Sequence, residues 1–555
     1  MPKAARTNRI TAWLTALFFA LLLAVGLLTS VDYGQPWDEP WEMDILRMNG
    51  NQYAAALGIA TRAETQSTLE APESGLIADS EEKDHGVCAY YPMLWLVNQT
   101  SLSESTRMIL WHAYTWLWFT AGAAALWFIC RRLGLSRGWS CTATLFLALS
   151  PRMFAQGHYN NKDMVLLSLV LLTVWLAMRL MERPGVARAA LFSLAGAAAT
   201  NTKVVGLFVW GLCALFVLLR LLADKRMDRR AWGAALTALA AYLGFYALLT
   251  PALWAGPSAF LQYLFTNAVS FSRWQNRVFF RGAVFDLKLT SLPWYYLPYT
   301  MLVTTPLWVL LPAAAGQIFA VGRFLGPRRR PLRSDGDTAL LLCTLLWLLP
   351  MLFVIIRRPT LYNGWRHFYF LYGPILVLAA YGLKRIWAAL GKPRTRVLRR
   401  TGAALLALCM AVTGAQMVLA HPNEYTYYNI LLSGKNIPAY MELDYWNVSV
   451  LQTLRSLLAQ LDAGETVTVS GADNYSETGL RSGWKLLSAG EQARLTVLPS
   501  YASAAEYVLS NNTYTELSGW QPDGTMRIVA QTESYGLPLC TVYARETTEP
   551  ADGTP

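Results

Sequence analysis

Charge is what this 555-residue chain has least of: Asp, Glu, Lys and Arg together make up 15% of it, against roughly a quarter of an ordinary soluble domain. That deficit excludes a cytoplasmic globular enzyme, a disordered chain and a coiled coil. Cysteine is scarce too. The seven residues at 88, 130, 141, 213, 343, 409 and 540 have no metal-ligand spacing and are too few for a disulfide scaffold. Five of them fall in or near apolar stretches, which leaves Cys88 and Cys540 as the one pair for which a disulfide is chemically open. No Walker loop, Gly-rich dinucleotide fingerprint or zinc motif occurs.

What the chain has in abundance is apolar length. Hydrophobic residues reach 54%, with 22 Trp, 27 Tyr and 21 Phe, and the mean hydropathy is +0.29. A bilayer core needs about 20 mainly apolar residues per helix. Eleven stretches qualify, near 10–30, 108–129, 138–152, 164–181, 189–204, 205–222, 232–252, 298–320, 338–356, 367–388 and 401–420. The stretch at 138–152 is short, and only the polar Thr200-Asn201-Thr202-Lys203 divides the fifth span from the sixth. No barrel-like alternation is present, so helices are expected. Of the 47 basic residues, 26 lie on alternate loops, beginning with Lys3, Arg6 and Arg9 and ending with the cluster from Lys384 to Arg400. The positive-inside rule then puts the N-terminus in the cytoplasm and everything after residue 420 outside. The net charge of +12 is thus a topology signal and not a nucleic-acid footprint. The first span, with about 20 apolar residues and no small-x-small cleavage site, reads as a retained anchor. The expectation is a polytopic α-helical membrane protein with about 11 transmembrane helices.

Polar chemistry concentrates on the outer face. The loop 31–107 carries thirteen Asp or Glu against four Lys or Arg. The next outer loop is Ser150 to Asp163, a third runs over about 253–297, and a fourth is Arg357 to His367. After residue 420 the composition changes. Strand-like alternation appears at 466–470, 495–498, 506–509, 526–529 and 539–543, and helical periodicity over 449–461. The chain therefore divides into a transmembrane domain 1–420, a small extracytoplasmic α/β domain 421–545 and a disordered tail 546–555.

The stretch Asp32-Tyr33-Gly34-Gln35-Pro36-Trp37-Asp38-Glu39-Pro40-Trp41 brings a carboxylate pair out within a dozen residues of the first span. Its prolines and tryptophans hold it at headgroup level, where an acid suits a general base acting on a hydroxyl. Arg152, His158, Lys162, Arg277, Arg281, Arg366 and His367 form the cationic counterpart on the same face. Opposed acids and cations suit transfer from a membrane-borne phosphate ester: cations stabilise the leaving phosphate and an acid takes the acceptor's proton. Asp335-Gly336-Asp337 looks like the metal-nucleotide triplet of soluble glycosyltransferases, but it falls on a cytoplasmic loop and reads as a decoy.

With these pieces in place, the chain resembles the C-superfamily of integral-membrane glycosyltransferases, in particular family 39, the protein O-mannosyltransferases and aminoarabinose transferases. The matching pieces are Asp38-Glu39, Ser150-Pro151-Arg152 through His158-Tyr159-Asn160-Asn161-Lys162-Asp163, Leu292-Pro293-Trp294-Tyr295-Tyr296, Gly364-Trp365-Arg366-His367, His421-Pro422-Asn423-Glu424-Tyr425, and Glu442-Leu443-Asp444-Tyr445-Trp446. They run in order over about 1–450. The resemblance implies a polyprenyl-phosphate sugar donor, a protein, lipid or cell-wall glycan acceptor with a hydroxyl or amine, inversion at the anomeric carbon, and surrounding membrane lipids but no nucleic acid. It implies Asp38 as base, with Asp32 and Asp44 as rivals, Glu39 orienting an acceptor or metal, and Asp163 as the second acid. Lys162, Arg366 and His367 would hold the donor phosphate, with Arg152, Arg277 and Arg281 added on position and charge. A divalent cation, magnesium or manganese, stays open, with Glu39 and His158 as candidate ligands. A bacterial plasma membrane is the expected location.

Three other readings stand beside this one: oligosaccharide transfer to protein, a flippase for a lipid-linked sugar, and an anchor presenting the C-terminal domain. The flippase expects ionisable residues near the midplane and repeated halves, and the span interiors are nearly free of charge. The anchor requires no acids and bases gathered in three separate loops.

Overall fold

A computed structural model describes residues 3–59, 75–269, 276–325 and 332–545. The tail 546–555 and the loop residue Arg273 lie outside the described residues.

Every one of the eleven apolar stretches is helical, and eight helices among the described residues are long and apolar enough to cross a membrane. We label the principal helices in chain order: α1 (Lys3–Thr29), α2 (Asp38–Ala56), α3 (Glu104–Arg132), α4 (Arg137–Ala148), α5 (Pro151–Tyr159), α6 (Asp163–Glu182), α7 (Val186–Thr202), α8 (Val205–Ala223) and α9 (Arg229–Leu249). They continue as α10 (Tyr296–Thr304), α11 (Leu307–Phe324), α12 (Asp335–Arg357), α13 (Tyr372–Ala389) and α14 (Arg396–Ala420). Two stretches come out shorter than a full span. The 12-residue α4, at 1.5 Å per residue, covers only about 18 Å, because Ser150-Pro151 ends it and starts α5. The 17-residue α7 stops at Lys203. A 3-10 turn, Arg366–Leu371, takes up the start of the 367–388 stretch before α13. The stretch 298–320 is two helices, α10 and α11, parted at Thr305-Pro306, where proline has no N–H to continue the ladder.

The described parts of the loop 31–107 are themselves structured. Asp38 and Glu39 open α2, whose first-turn acids suit the positive end of the helix dipole. A hairpin, β1 (Arg277–Phe280) and β2 (Ala283–Asp286), pairs Arg277 with Asp286 and Phe280 with Ala283, and Phe280 bridges to Met441. Residues 421–449 form an irregular strap that packs Tyr425, Tyr445, Trp446 and Val448 against Tyr33, Ala155 and Tyr159. Beyond it stand helices α15 (Val450–Leu458) and α16 (Asn474–Lys485) and a five-stranded sheet in the order β4-β3-β5-β7-β6. Its strands are β3 (Val467–Gly471), β4 (Leu495–Leu498), β5 (Tyr507–Asn511), β6 (Met526–Ser534) and β7 (Leu537–Arg545). The pairs β3–β4 and β3–β5 are parallel, the rest antiparallel. All five strands and the helix read from periodicity are present.

Two sequence readings are settled by packing. Cys88 and Cys540 are both buried and unpaired. The Cys88 amide donates to Asn201 Oδ1 on α7 (3.0 Å), whereas Cys540 lies in the core beneath the C-terminal sheet. The Asp335-Gly336-Asp337 triplet opens α12 behind the Ser334 cap. Asp335 pairs with Arg220 (2.8 Å) and Asp337 with Arg323, so the triplet ties helix ends together.

Candidate active site

Neighbouring residues of an α-helix point about 100° apart, and this separates the Asp38-Glu39 pair. Glu39 turns inward, accepting from Gln35 Nε2 (2.9 Å) and lying 2.8 Å from His112 Nε2, with both side chains of that pair fully buried. Asp38 faces a cleft and keeps 44% of its side chain open to solvent. Its Oδ2 accepts from the Trp446 indole N–H (3.1 Å) and lies 3.5 Å from Arg366 Nη2. The surrounding protein mass raises the Asp38 carboxyl above its ordinary range, with Arg366 and the indole N–H opposing; the open side of the carboxylate tempers that burial effect.

Arg366 is the hub. Its guanidinium lies between the Tyr362 and Trp446 rings, 5.1 and 4.9 Å from their centroids. It reaches Asp38 on one side and Asp163 Oδ2 (3.5 Å) on the other. Burial works against its charge, but Asp38, Tyr362 and Asp163 together hold its pKa well above the usual value. Two left-handed residues, Asn363 (φ 55°) and Gly364 (φ 69°), turn the chain just before it, a conformation glycine adopts without the Cβ clash.

Asp163 opens α6 and is fully enclosed. Its amide donates to Asn160 Oδ1 (2.8 Å), and Asn160 Nδ2 donates back to Asp163 Oδ2 (3.2 Å). Asn160 is braced in turn through Gln156, whose amide donates to the Tyr369 and Tyr445 hydroxyls (2.8 and 3.0 Å). Lys203 Nζ donates to Asp163 Oδ1 and lies 3.3 Å from His367 Nδ1. Lys203 occupies the tip of the α7–α8 turn, where a Cβ on Gly206 would come within 2.3 Å of the Ala199 carbonyl carbon. Lys162 is half-buried, and its charge acts on Glu42, His85 and His367. Glu42 sits one turn after Asp38 and contacts His85 Nε2 (2.6 Å), while His85 Nδ1 meets Glu82 (3.0 Å).

The structure thus brings together Asp38, Asp163, Lys162, Arg366 and His367. The other sequence candidates lie elsewhere. Arg152 is buried in an adjoining crevice with Glu442 and Tyr445. There its Nε donates to the Tyr427 carbonyl (3.1 Å), and burial pushes the Glu442 carboxyl up to about 7. Arg277 and Arg281 are exposed on the hairpin; Arg277 Nη1 donates to the Leu517 carbonyl (3.4 Å) and Arg281 Nε to the Tyr440 hydroxyl (2.9 Å). His158 is stacked between Tyr33 and Trp116, with its nitrogens against the Phe154 and Gly26 carbonyls (3.0 and 3.1 Å). Burial holds its pKa down at about 3. Of the rival bases, Asp32 pairs with His421 (3.0 Å) and Asp44 with Arg47.

Neither Glu39 nor His158 fits a divalent cation, since each spends its polar atoms on protein partners, and among the described residues no three His, Cys, Asp or Glu side chains converge on a metal position. Sequence reasoning missed Lys203, Tyr362 and the role of Trp446. The one signal for Lys203 was the polar tetrad between two apolar runs; nothing local marks Trp446 as the cover of a residue 80 positions earlier.

No protein-family model matches the chain, and no curated protein sequence does. Among solved structures it is similar to ArnT from Cupriavidus metallidurans in the apo state, at 15% identity over 97% of this chain and 98% of that one, with a TM-score of 0.48. The same protein bound to undecaprenyl phosphate gives 15% identity, 97% and 99% coverage and a TM-score of 0.46. The Archaeoglobus fulgidus oligosaccharyltransferase tethered to an acceptor peptide gives 12%, 92% and 71%, and 0.43. All three lie below a TM-score of 0.5, so the chemistry of the cleft has to be argued from its own residues.

Proposed function

We propose that this protein is a membrane glycosyltransferase of the C-superfamily kind that moves a sugar from a polyprenyl-phosphate donor to an acceptor hydroxyl or amine, with inversion, at the external membrane face. The observation that carries the reading is the Arg366 bridge: one buried guanidinium with a half-open carboxylate on one side and a carboxylate–lysine pair on the other. A phosphate displacing Asp163 or joining its cations would meet Arg366, Lys203, His367 and Lys162 within one cleft, and Arg supplies the planar fork that phosphate geometry suits.

In the proposed reaction the acceptor oxygen or nitrogen attacks the anomeric carbon from the side opposite the phosphate. The carbon–oxygen bond to phosphate breaks, and its electron pair leaves on the polyprenyl phosphate. Asp38 takes the acceptor's proton; its Oδ2 is engaged by Trp446 and Arg366, so Oδ1 is the oxygen offered. The cations neutralise the charge that develops on the leaving phosphate. Asp163 acts through Lys203 and Arg366 as a positioning residue, and Glu39, sealed against His112, supports the first turn of α2. Residues 1–420 would form the membrane domain and 421–545 the external one, in a bacterial plasma membrane with the N-terminus cytoplasmic.

The test is transfer by the purified protein in lipid nanodiscs, offered radiolabelled polyprenyl-phosphate mannose, glucose, galactose and aminoarabinose with a hydroxyl or amine acceptor panel. Turnover of one donor is expected and names the hexosyl or pentosyl class. Donor binding without transfer or hydrolysis would favour a carrier, and absence of binding would sink the reading.

A further inference from the structure

Far from the cleft, at the opposite ends of the same helices, α7, α8, α9 and the end of α6 enclose an apolar groove of about 240 Å³. One end is formed by Leu221, Met227 and Ala231, beside the basic α8–α9 turn, and the other by Phe192 and Trp210. Trp210 stacks on Tyr242 (3.9 Å) and closes that end as an aromatic floor. From Leu221 to Trp210 is eleven positions of α8, about 16 Å at 1.5 Å per residue. Half of a bilayer core is about 15 Å, so the groove is one leaflet deep. Its side is open where the surrounding hydrocarbon lies: Leu215 and Leu239 line it and remain 47% and 53% exposed.

The basic end has unspent charge. Of the acids there, Asp224 is paired with Arg220 and Arg226, and Asp228 caps α9 by accepting from the Ala231 amide (2.8 Å). Lys225, Arg229 and Arg230 are exposed, and among the described residues no carboxylate pairs with them. A groove that takes one chain of leaflet length, with free cations only at its headgroup end, matches one ligand chemistry: an acyl chain carrying an anionic head.

We infer that α7, α8 and α9 form a binding site for one anionic phospholipid, with an acyl chain along Leu221 to Trp210 and its phosphate against Arg229 and Arg230. The site does not depend on the reaction proposed for the outer cleft.

The test uses the full-length protein, delipidated in detergent and titrated with phosphatidylglycerol or phosphatidylcholine of the same chains, with bound lipid counted by native mass spectrometry. One phosphatidylglycerol per chain is expected, held roughly tenfold or more tighter than phosphatidylcholine, since each nearby basic residue favours an anionic head. The double variant Arg229→Gln/Arg230→Gln should bring the two lipids level. Ala235→Trp, at an exposed groove position, should remove the first bound lipid of either kind while leaving the thermal transition in place. Equal retention of both lipids by the wild type would overturn the site, as would tight phosphatidylglycerol binding that survives Ala235→Trp. Displacement of phosphatidylglycerol by undecaprenyl phosphate, lost with the same variant, would give the groove to a prenyl chain instead and equally overturn it.

Discussion

At the scale of single residues, Trp446 joins the strap to the chemistry proposed at Asp38. Its indole N–H favours the ionised Asp38 carboxylate, so removing that bond should raise the Asp38 pKa. A base must be deprotonated to act, and a higher pKa moves the acid limb of the kcat/KM profile to higher pH. Trp446→Phe, which keeps a ring over Arg366, should therefore shift that limb upward; an unmoved limb would mean the indole does not tune the base. Arg366→Lys keeps a charge but loses the fork and the ring stacking. Donor binding should weaken by about tenfold or more in the lysine variant, as read by titration with the polyprenyl-phosphate sugar. Asp38, Asp163 and Arg366 were legible because each sits in a local run of aromatic, proline and charged residues next to an apolar stretch. Lys203 was not, because its meeting with Asp163 depends on how α6, α7 and α8 pack.

At the scale of elements, two contacts hold helix ends and neighbouring loops in place. His421, directly after α14, lies between Asp32, just after α1, and Glu424 (3.0 and 2.7 Å). Burial opposes its charge, but Glu424 and Asp32 raise its pKa to about 9. The folded value thus exceeds the unfolded one, so this contribution is complete below about pH 6.5 and fades as pH rises through about 9. Thermal unfolding should show a falling transition temperature between neutral pH and about pH 10, and His421→Gln should flatten that fall. The second contact is Glu39–His112. Glu39→Ala leaves a buried imidazole nitrogen without its partner and should destabilise the protein by about 1–3 kcal/mol, seen in denaturant unfolding, while a properly folded fraction keeps donor binding. The membrane helices followed from apolar length, and α15 and all five strands of the C-terminal sheet from periodicity, whereas α2 and α16 were not expected. The division of 298–320 at Pro306 did not, because the run reads as one apolar length, and the order of the strands depends on contacts between distant segments.

At the scale of the whole molecule, the strap 421–449 links the membrane helices to the C-terminal α/β unit and lays Trp446 across Arg366 and Asp38, while Met108 of α3 enters the core beneath the sheet. Asp444 anchors that strap, accepting from Tyr425 and Ser449 and from the Val448 amide (2.9 Å), and Asn511 Nδ2, at the end of β5, donates to the Asp444 carbonyl (2.8 Å). The change of composition after residue 420 pointed to the α/β unit but not to the strap, whose residues look like a linker until they are seen buried. The central claim is that Asp38 removes the acceptor's proton while a cationic cluster beside it receives the phosphate. Release of polyprenyl phosphate in a single turnover, measured for wild type and Asp38→Asn alongside donor binding, tests it most directly. The account predicts that Asp38→Asn binds donor within a few-fold of wild type but releases phosphate about 10²–10⁴-fold more slowly; a folded Asp38→Asn protein that turns over at the wild-type rate would contradict it.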